Sequence, residues 1–158
     1  MKAVERLDLL EPVLEREAAL LGDVAFRLFP PDDLSATWLV ALLSTPEGCD
    51  KLESFVGKFC RMQDNLAGKY LPLLLEASEE PVGTAIDNLA RAERLGWLED
   101  AARWRRMRRA RNWLVHEYLS DPADMLSALS EARAFVAHLI GAWQHMRDYA
   151  TTLRENHV

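Results

Sequence analysis

Eight apolar residues near the C-terminus, Leu129, Ala132, Val136, Leu139, Trp143, Met146, Ala150 and Leu153, recur at alternating intervals of three and four. That spacing lays them along one stripe of an α-helix. No β-strand can put them on one face, because its side chains alternate at every second residue. A heptad-like stripe longer than three turns has to be covered, by a helix of the same chain or by a second copy. Similar stripes run through Val4, Leu7, Leu14, Ala18, Leu21, Ala25 and Leu28, and through Leu52, Phe55, Val56, Phe59, Met62, Leu66, Tyr70 and Leu73. Sustained alternation and Asn-Gly or Asp-Gly hairpin turns are missing from the sequence. The chain therefore reads as an all-α bundle of four to five main helices.

Local signals place the boundaries. Pro12 should kink the first helix or restart it at Glu11–Pro12, and Pro30–Pro31 should end it. Asp32 and Asp33 offer an N-cap for a short helix over Leu34 to Leu43, and Thr45-Pro46 starts the next one. That helix should run to about Glu76, weakened at Gly57 and Gly68 and bent by Pro72 in its last turn. Glu79 to Gly83 is a loop. Thr84 caps a short helix through Leu95, which Gly96 ends. Glu99 and Asp100 suit the N-terminus of a fourth major helix reaching about Tyr118. Ser120-Asp121-Pro122 then starts the last.

The length of 158 residues and the 49% apolar content fit one globular domain over 1–158, with a core that needs no disulfide or metal. Cys49 and Cys60 form no CxxC pair and have no neighbouring histidine, so they read as buried thiols in a reducing compartment, the cytoplasm. Charged residues run through Met1 to Leu21, so no secretory leader is expected there, and no apolar window is long enough to span a membrane. The formal charge of −6 argues against a general nucleic-acid coat, although a local basic stripe can still bind phosphate.

Such a stripe exists. Arg103 to Tyr118 reads RWRRMRRARNWLVHEY, with six arginines in its first nine residues. On a helix Arg105, Arg109, Asn112 and His116 share a face, as do Arg108 and Asn112. Arg111 lies five residues before His116, about 140° round an ideal helix, so the two meet only with bending or across a two-fold axis. These residue types suit phosphodiester cleavage. Histidine moves protons near neutral pH, arginine grips non-bridging phosphate oxygens, and asparagine orients either one. RNA brings its own nucleophile, the 2′-hydroxyl, so no metal is required, and no Asp/Glu/His cluster stands out to hold one. The bland readings stand beside this one. An arginine-rich helix is commonly a solvated, ion-paired face, His116 among Leu114, Val115 and Leu119 can be a core histidine, and Tyr118 can be a packing residue. His138 and His145 lack a third ligand and read as structural.

Arg111-Asn112-Trp113-Leu114-Val115-His116-Glu117-Tyr118 resembles the signature of the HEPN superfamily. The tyrosine two residues after the histidine is similar to the HepT branch, the toxin half of HepT–MntA modules. The likeness is close over Trp104 to Pro122 and only architectural over Met1 to Gly83. The resemblance implies a dimerising HEPN-like helical bundle and a composite cleft where two Arg-x4-His motifs meet. It also implies metal-independent endoribonuclease activity without a cofactor. Carried onto this chain, Arg111 contacts the scissile phosphate, Asn112 orients the site, and His116 is the general base or acid. Tyr118 is the residue that a nucleotidyltransferase antitoxin, MntA-like, modifies with AMP. The arginine run is denser here than in the family pattern, which makes Arg105, Arg108 and Arg109 an RNA-docking or partner-docking surface. Six arginines facing their twins would repel, so they are expected to line an open groove. Two other readings remain open: a non-catalytic nucleotide- or substrate-binding subunit partnering a nucleotidyltransferase, and a structural protein whose basic stretch is only a surface.

Overall fold

The computed structural model describes residues 1–116 and 121–156, and only the backbone of His116. No strand occurs among these residues. The elements are α1 (Ala3–Leu28), α2 (Ala36–Leu43), α3 (Pro46–Asn65), a π turn (Leu66–Tyr70), α4 (Leu71–Ala77), α5 (Ala85–Arg94), α6 (Ala101–His116) and α7 (Pro122–Glu155). Because α3, the π turn and α4 form one unbroken rod, the described residues make four long rods and two short helices, α2 and α5. The all-α expectation holds among the described residues.

The stripes read from the sequence are buried except at Val4, Ala25, Val56 and Leu153, which are half-buried. Leu7, Leu14, Ala18, Leu21 and Leu28 of α1 face Leu52, Phe55, Phe59, Met62, Leu66 and Tyr70 of the α3 rod. The α7 stripe is buried from Leu129 to Ala150, so its cover comes from within the chain, chiefly α6 and α1. Each fully buried leucine side chain contributes roughly 1.5–3 kcal/mol relative to exposure. Aromatic contacts knit the rods together: Tyr70 meets Trp143 edge-on at 5.2 Å, and Phe135 meets Trp104 at 5.1 Å and Phe59 at 6.2 Å. α5 lies between α6 and α4, and α2 caps α3 and α7.

The caps are formed by short polar side chains. The Thr45 hydroxyl accepts from Gly48 N at 3.0 Å with Pro46 at the first helical position, and the Asp121 carboxylate accepts from Ala123 N at 2.9 Å ahead of Pro122. Thr84 and Asp87 form a capping box on α5, and Gly96, at φ 79°, follows its end.

Two boundaries differ from expectation. α1 neither stops nor restarts at Pro12 but runs through it as one helix of 26 residues. Pro12 and Asp8 are both exposed, so the Asp8 carbonyl that Pro12 cannot satisfy can meet water, while Leu7 and Leu14 stay fully buried. α2 starts at Ala36, capped by Ser35 rather than by Asp32 or Asp33. Arg133 of α7 donates to the carbonyls of Pro30 and Asp32 at 2.8 Å each, which holds that segment against α7 before the helix begins. Pro72 lies inside the continuous rod, six residues after Leu66, where the π turn starts, and five before its last residue, Ala77. It sits just after the π turn, where its ring and missing N–H disfavour an ordinary α-turn onto Gly68.

Candidate functional site

α6 starts where the Asp100 carboxylate accepts from Arg103 N at 3.2 Å, and Glu93 of α5 accepts from Ala101 N at 3.0 Å. Trp104, Met107 and Leu114 are buried, so the helix is pinned along one stripe. Its remaining faces carry the arginines, and the structure sorts these into two groups.

Three arginines have partners. Arg103 donates to His138 Nε2 at 2.8 Å, which fixes the tautomer with the proton on Nδ1, facing Glu99 at 3.7 Å. His138 of α7 is thereby tied to α6. Arg106 lies 3.9 Å from Asp100. Arg111 reaches across to α3, where Nη1 and Nη2 donate to the two carboxylate oxygens of Asp64 at 2.5 and 3.1 Å. Cys60, one turn before Asp64, is buried beside the same guanidinium. Burial pushes its thiol pKa up, against the lowering effect of Arg111. The guanidinium of Arg111 is thus held toward α3 and not along α6 toward the next turn.

Arg105, Arg108 and Arg109 have no ion-pair partner among the described residues, and all three are exposed. With Asn112 they line a groove of about 430 Å³ between α5 and α6, whose other wall is Ala85, Ile86 and Leu89. The shared face inferred from helical spacing is therefore present for Arg105, Arg108, Arg109 and Asn112. Arg111 is about 100° away from Asn112 round the helix, on the neighbouring side. It lines a second cavity of about 350 Å³ with Gln63, Asp64, Lys69, Trp104 and Arg108. Arg108 belongs to both spaces, so they adjoin.

The backbone of His116 lies one turn beyond Asn112 at the end of α6. The His116 side chain and the whole of Tyr118 lie outside the described residues, so the proposed base and the proposed modification site have no geometry here.

Gln63, Asp64 and Cys60 did not figure among the site residues read from the sequence. They come from 47 or more residues upstream of Arg111 and reach it only through the packing of α3 against α6. The available signal was the polar run Gln63-Asp64-Asn65 interrupting an apolar helix. Among the described residues no helix is long and apolar enough to cross a membrane, and no three His, Cys, Asp or Glu side chains gather as a metal cage. No family model, curated protein or solved structure matches the chain.

Proposed function

We propose that this chain is a HEPN-type, metal-independent endoribonuclease, working as a homodimer and serving as the toxin of a toxin–antitoxin pair. The observation that carries the reading is the alignment of Asn112 with Arg105, Arg108 and Arg109, which have no ion-pair partner among the described residues, along one groove on the helix that also holds Arg111 and His116. RNA phosphates lie along the groove, each gripped by a guanidinium. Arg111 takes the scissile phosphate by exchanging one carboxylate, Asp64, for phosphate oxygens. His116 removes the proton from the 2′-hydroxyl, whose oxygen attacks phosphorus. The bond from phosphorus to the 5′-oxygen breaks, leaving a 2′,3′-cyclic phosphate, and His116 of the partner subunit returns a proton to the departing oxygen. Asn112 orients these groups. The isologous dimer supplies the second histidine, since one chain carries one motif.

Tyr118, two residues past His116, is the site where a nucleotidyltransferase antitoxin adds AMP. The added negative charge and bulk oppose RNA phosphate at the cleft. The deciding experiment incubates the purified protein with cellular RNA in EDTA beside His116→Ala. The variant should cut roughly 10²–10⁴-fold more slowly, the scale of general acid–base catalysis. Equal cutting by both proteins removes His116 from the chemistry.

The Arg111–Asp64 pair favours a second reading, a non-catalytic nucleotide-binding subunit, because the guanidinium already has a bidentate carboxylate. Saturable nucleotide binding by a protein that leaves RNA intact decides for it.

A further inference from the structure

The cavity behind Arg111 has features that the groove does not explain. Gln63 lines it, is only 6% exposed, and its amide nitrogen has no hydrogen-bond partner among the described residues. A buried amide left without an acceptor is costly, and in a folded protein it commonly marks a place where something else supplies the acceptor. The wall beside it is the π turn, which contributes Ala67, Gly68 and Lys69. π turns inside α-helices are frequent at functional sites, because the wide turn displaces side chains from the regular helical surface. Leu89 of α5 and Trp104 of α6, both buried, also line it and give it apolar and aromatic surface. Around the cavity Lys69, Arg108 and Arg111 place three positive charges against the one negative charge of Asp64.

An apolar and aromatic wall, an amide donor that lacks an acceptor and a net positive rim are complementary to one chemical class. We infer that this cavity binds a single nucleotide unit. Its base lies against Trp104 and Leu89, the Gln63 amide donates to a base acceptor, and Lys69 and Arg108 hold its phosphate. A volume of about 350 Å³ falls within the range of small-ligand pockets. The cavity adjoins the groove through Arg108, so a nucleotide of bound RNA next to the phosphate at Arg111 can enter it. Gln63 is then a residue that selects the base. This step rests on the ribonuclease reading only for the source of the nucleotide: a free monophosphate has the same chemistry.

Isothermal titration of the full chain tests the site. The probes are the four ribonucleoside 5′-monophosphates, inorganic phosphate, and a short RNA made uncuttable by 2′-O-methyl groups. At least one monophosphate should bind saturably and more tightly than inorganic phosphate. Gln63→Leu, which removes the amide at similar volume, should weaken that binding roughly tenfold and narrow the differences among the four bases. If Gln63→Leu fails to fold, the exposed Lys69→Gln carries the test, with a similar loss that shrinks as salt rises. Competition by the uncuttable RNA upholds the site for RNA, and its failure to compete upholds the site for free nucleotide. Absence of saturable monophosphate binding overturns the inference, as does binding no tighter than inorganic phosphate and unchanged by Gln63→Leu. RNA cleavage that persists without monophosphate binding removes this inference alone. Monophosphate binding without cleavage removes only the ribonuclease reading.

Discussion

Arginines occur on two sides of this molecule, and they are treated in opposite ways. Where α1 meets α7, Arg154 donates to Asp8 at 2.6 Å and to Glu11 at 2.8 Å, and Glu11 also accepts from the Tyr70 hydroxyl at 2.8 Å. Nearby, Glu15 accepts from Arg147 at 2.7 Å and from Trp143 Nε1 at 3.1 Å. Arg133 is likewise tied to the carbonyls before α2 and lies over the Phe29 ring. Between α5 and α6, by contrast, Arg105, Arg108 and Arg109 sit side by side without a carboxylate among the described residues. Cations that are each matched to an acid brace a helix packing. Cations crowded together without one raise the local potential and wait for a ligand that is itself negative.

The braced side should show the largest effect. Glu11→Ala takes an acceptor from both Tyr70 and Arg154, and Glu11→Gln takes only the charge. Urea denaturation should show a loss of about 2 kcal/mol for the alanine variant and roughly half of that for glutamine. Equal, negligible losses would mean that the brace is decorative and the contrast between the two sides false.

The next effect is one of pH. Tyr70 is fully buried, and burial together with its hydrogen bond to Glu11 and the Glu11 charge pushes its pKa far above the ordinary value. In the unfolded chain a tyrosine ionises near pH 10, whereas in the folded chain this one stays neutral. The unfolded state therefore gains as it releases the proton. Stability is fully present below about pH 10 and falls above it, by at most about 1.4 kcal/mol per pH unit. Tyr70→Phe should be less stable at neutral pH and should lack that share of the alkaline decline in denaturation curves.

The open side should barely register in stability. Arg105→Gln and Arg109→Gln should each shift unfolding by less than about 0.5 kcal/mol. The same substitutions should lower the dependence of RNA affinity on salt by about one unit of slope each. A melting temperature that drops while the salt slope stays put would reverse the assignment and make the groove structural.

How much of this was legible in the sequence depended on the range of the cause. Thr45-Pro46, Thr84 and Asp121-Pro122 act on backbone groups two or three residues away, so the sequence shows them directly. The buried stripes are set by helical period and were equally plain. The restart expected at Pro12 does not occur, because a local penalty is outweighed by burial of Leu7 and Leu14 on the far side of the same helix. Ser35 displaced Asp32 as a cap because Arg133, about 100 residues away, fixes the preceding carbonyls. At the site, helical spacing put Arg105, Arg108, Arg109 and Asn112 on one face. The carboxylate that claims Arg111 was hidden, since Asp64 meets it only when α3 packs against α6.

The π turn has a further consequence, one of phase. A π turn takes up more chain per revolution than an α-helix, in which each residue advances about 100°. The rod before it and the rod after it are therefore out of step, like two lengths of screw thread joined with a slip. Upstream, Gln63 and Asp64 look toward α6, and downstream Tyr70 looks toward α1 and α7. The same rod meets α1, α6 and α7.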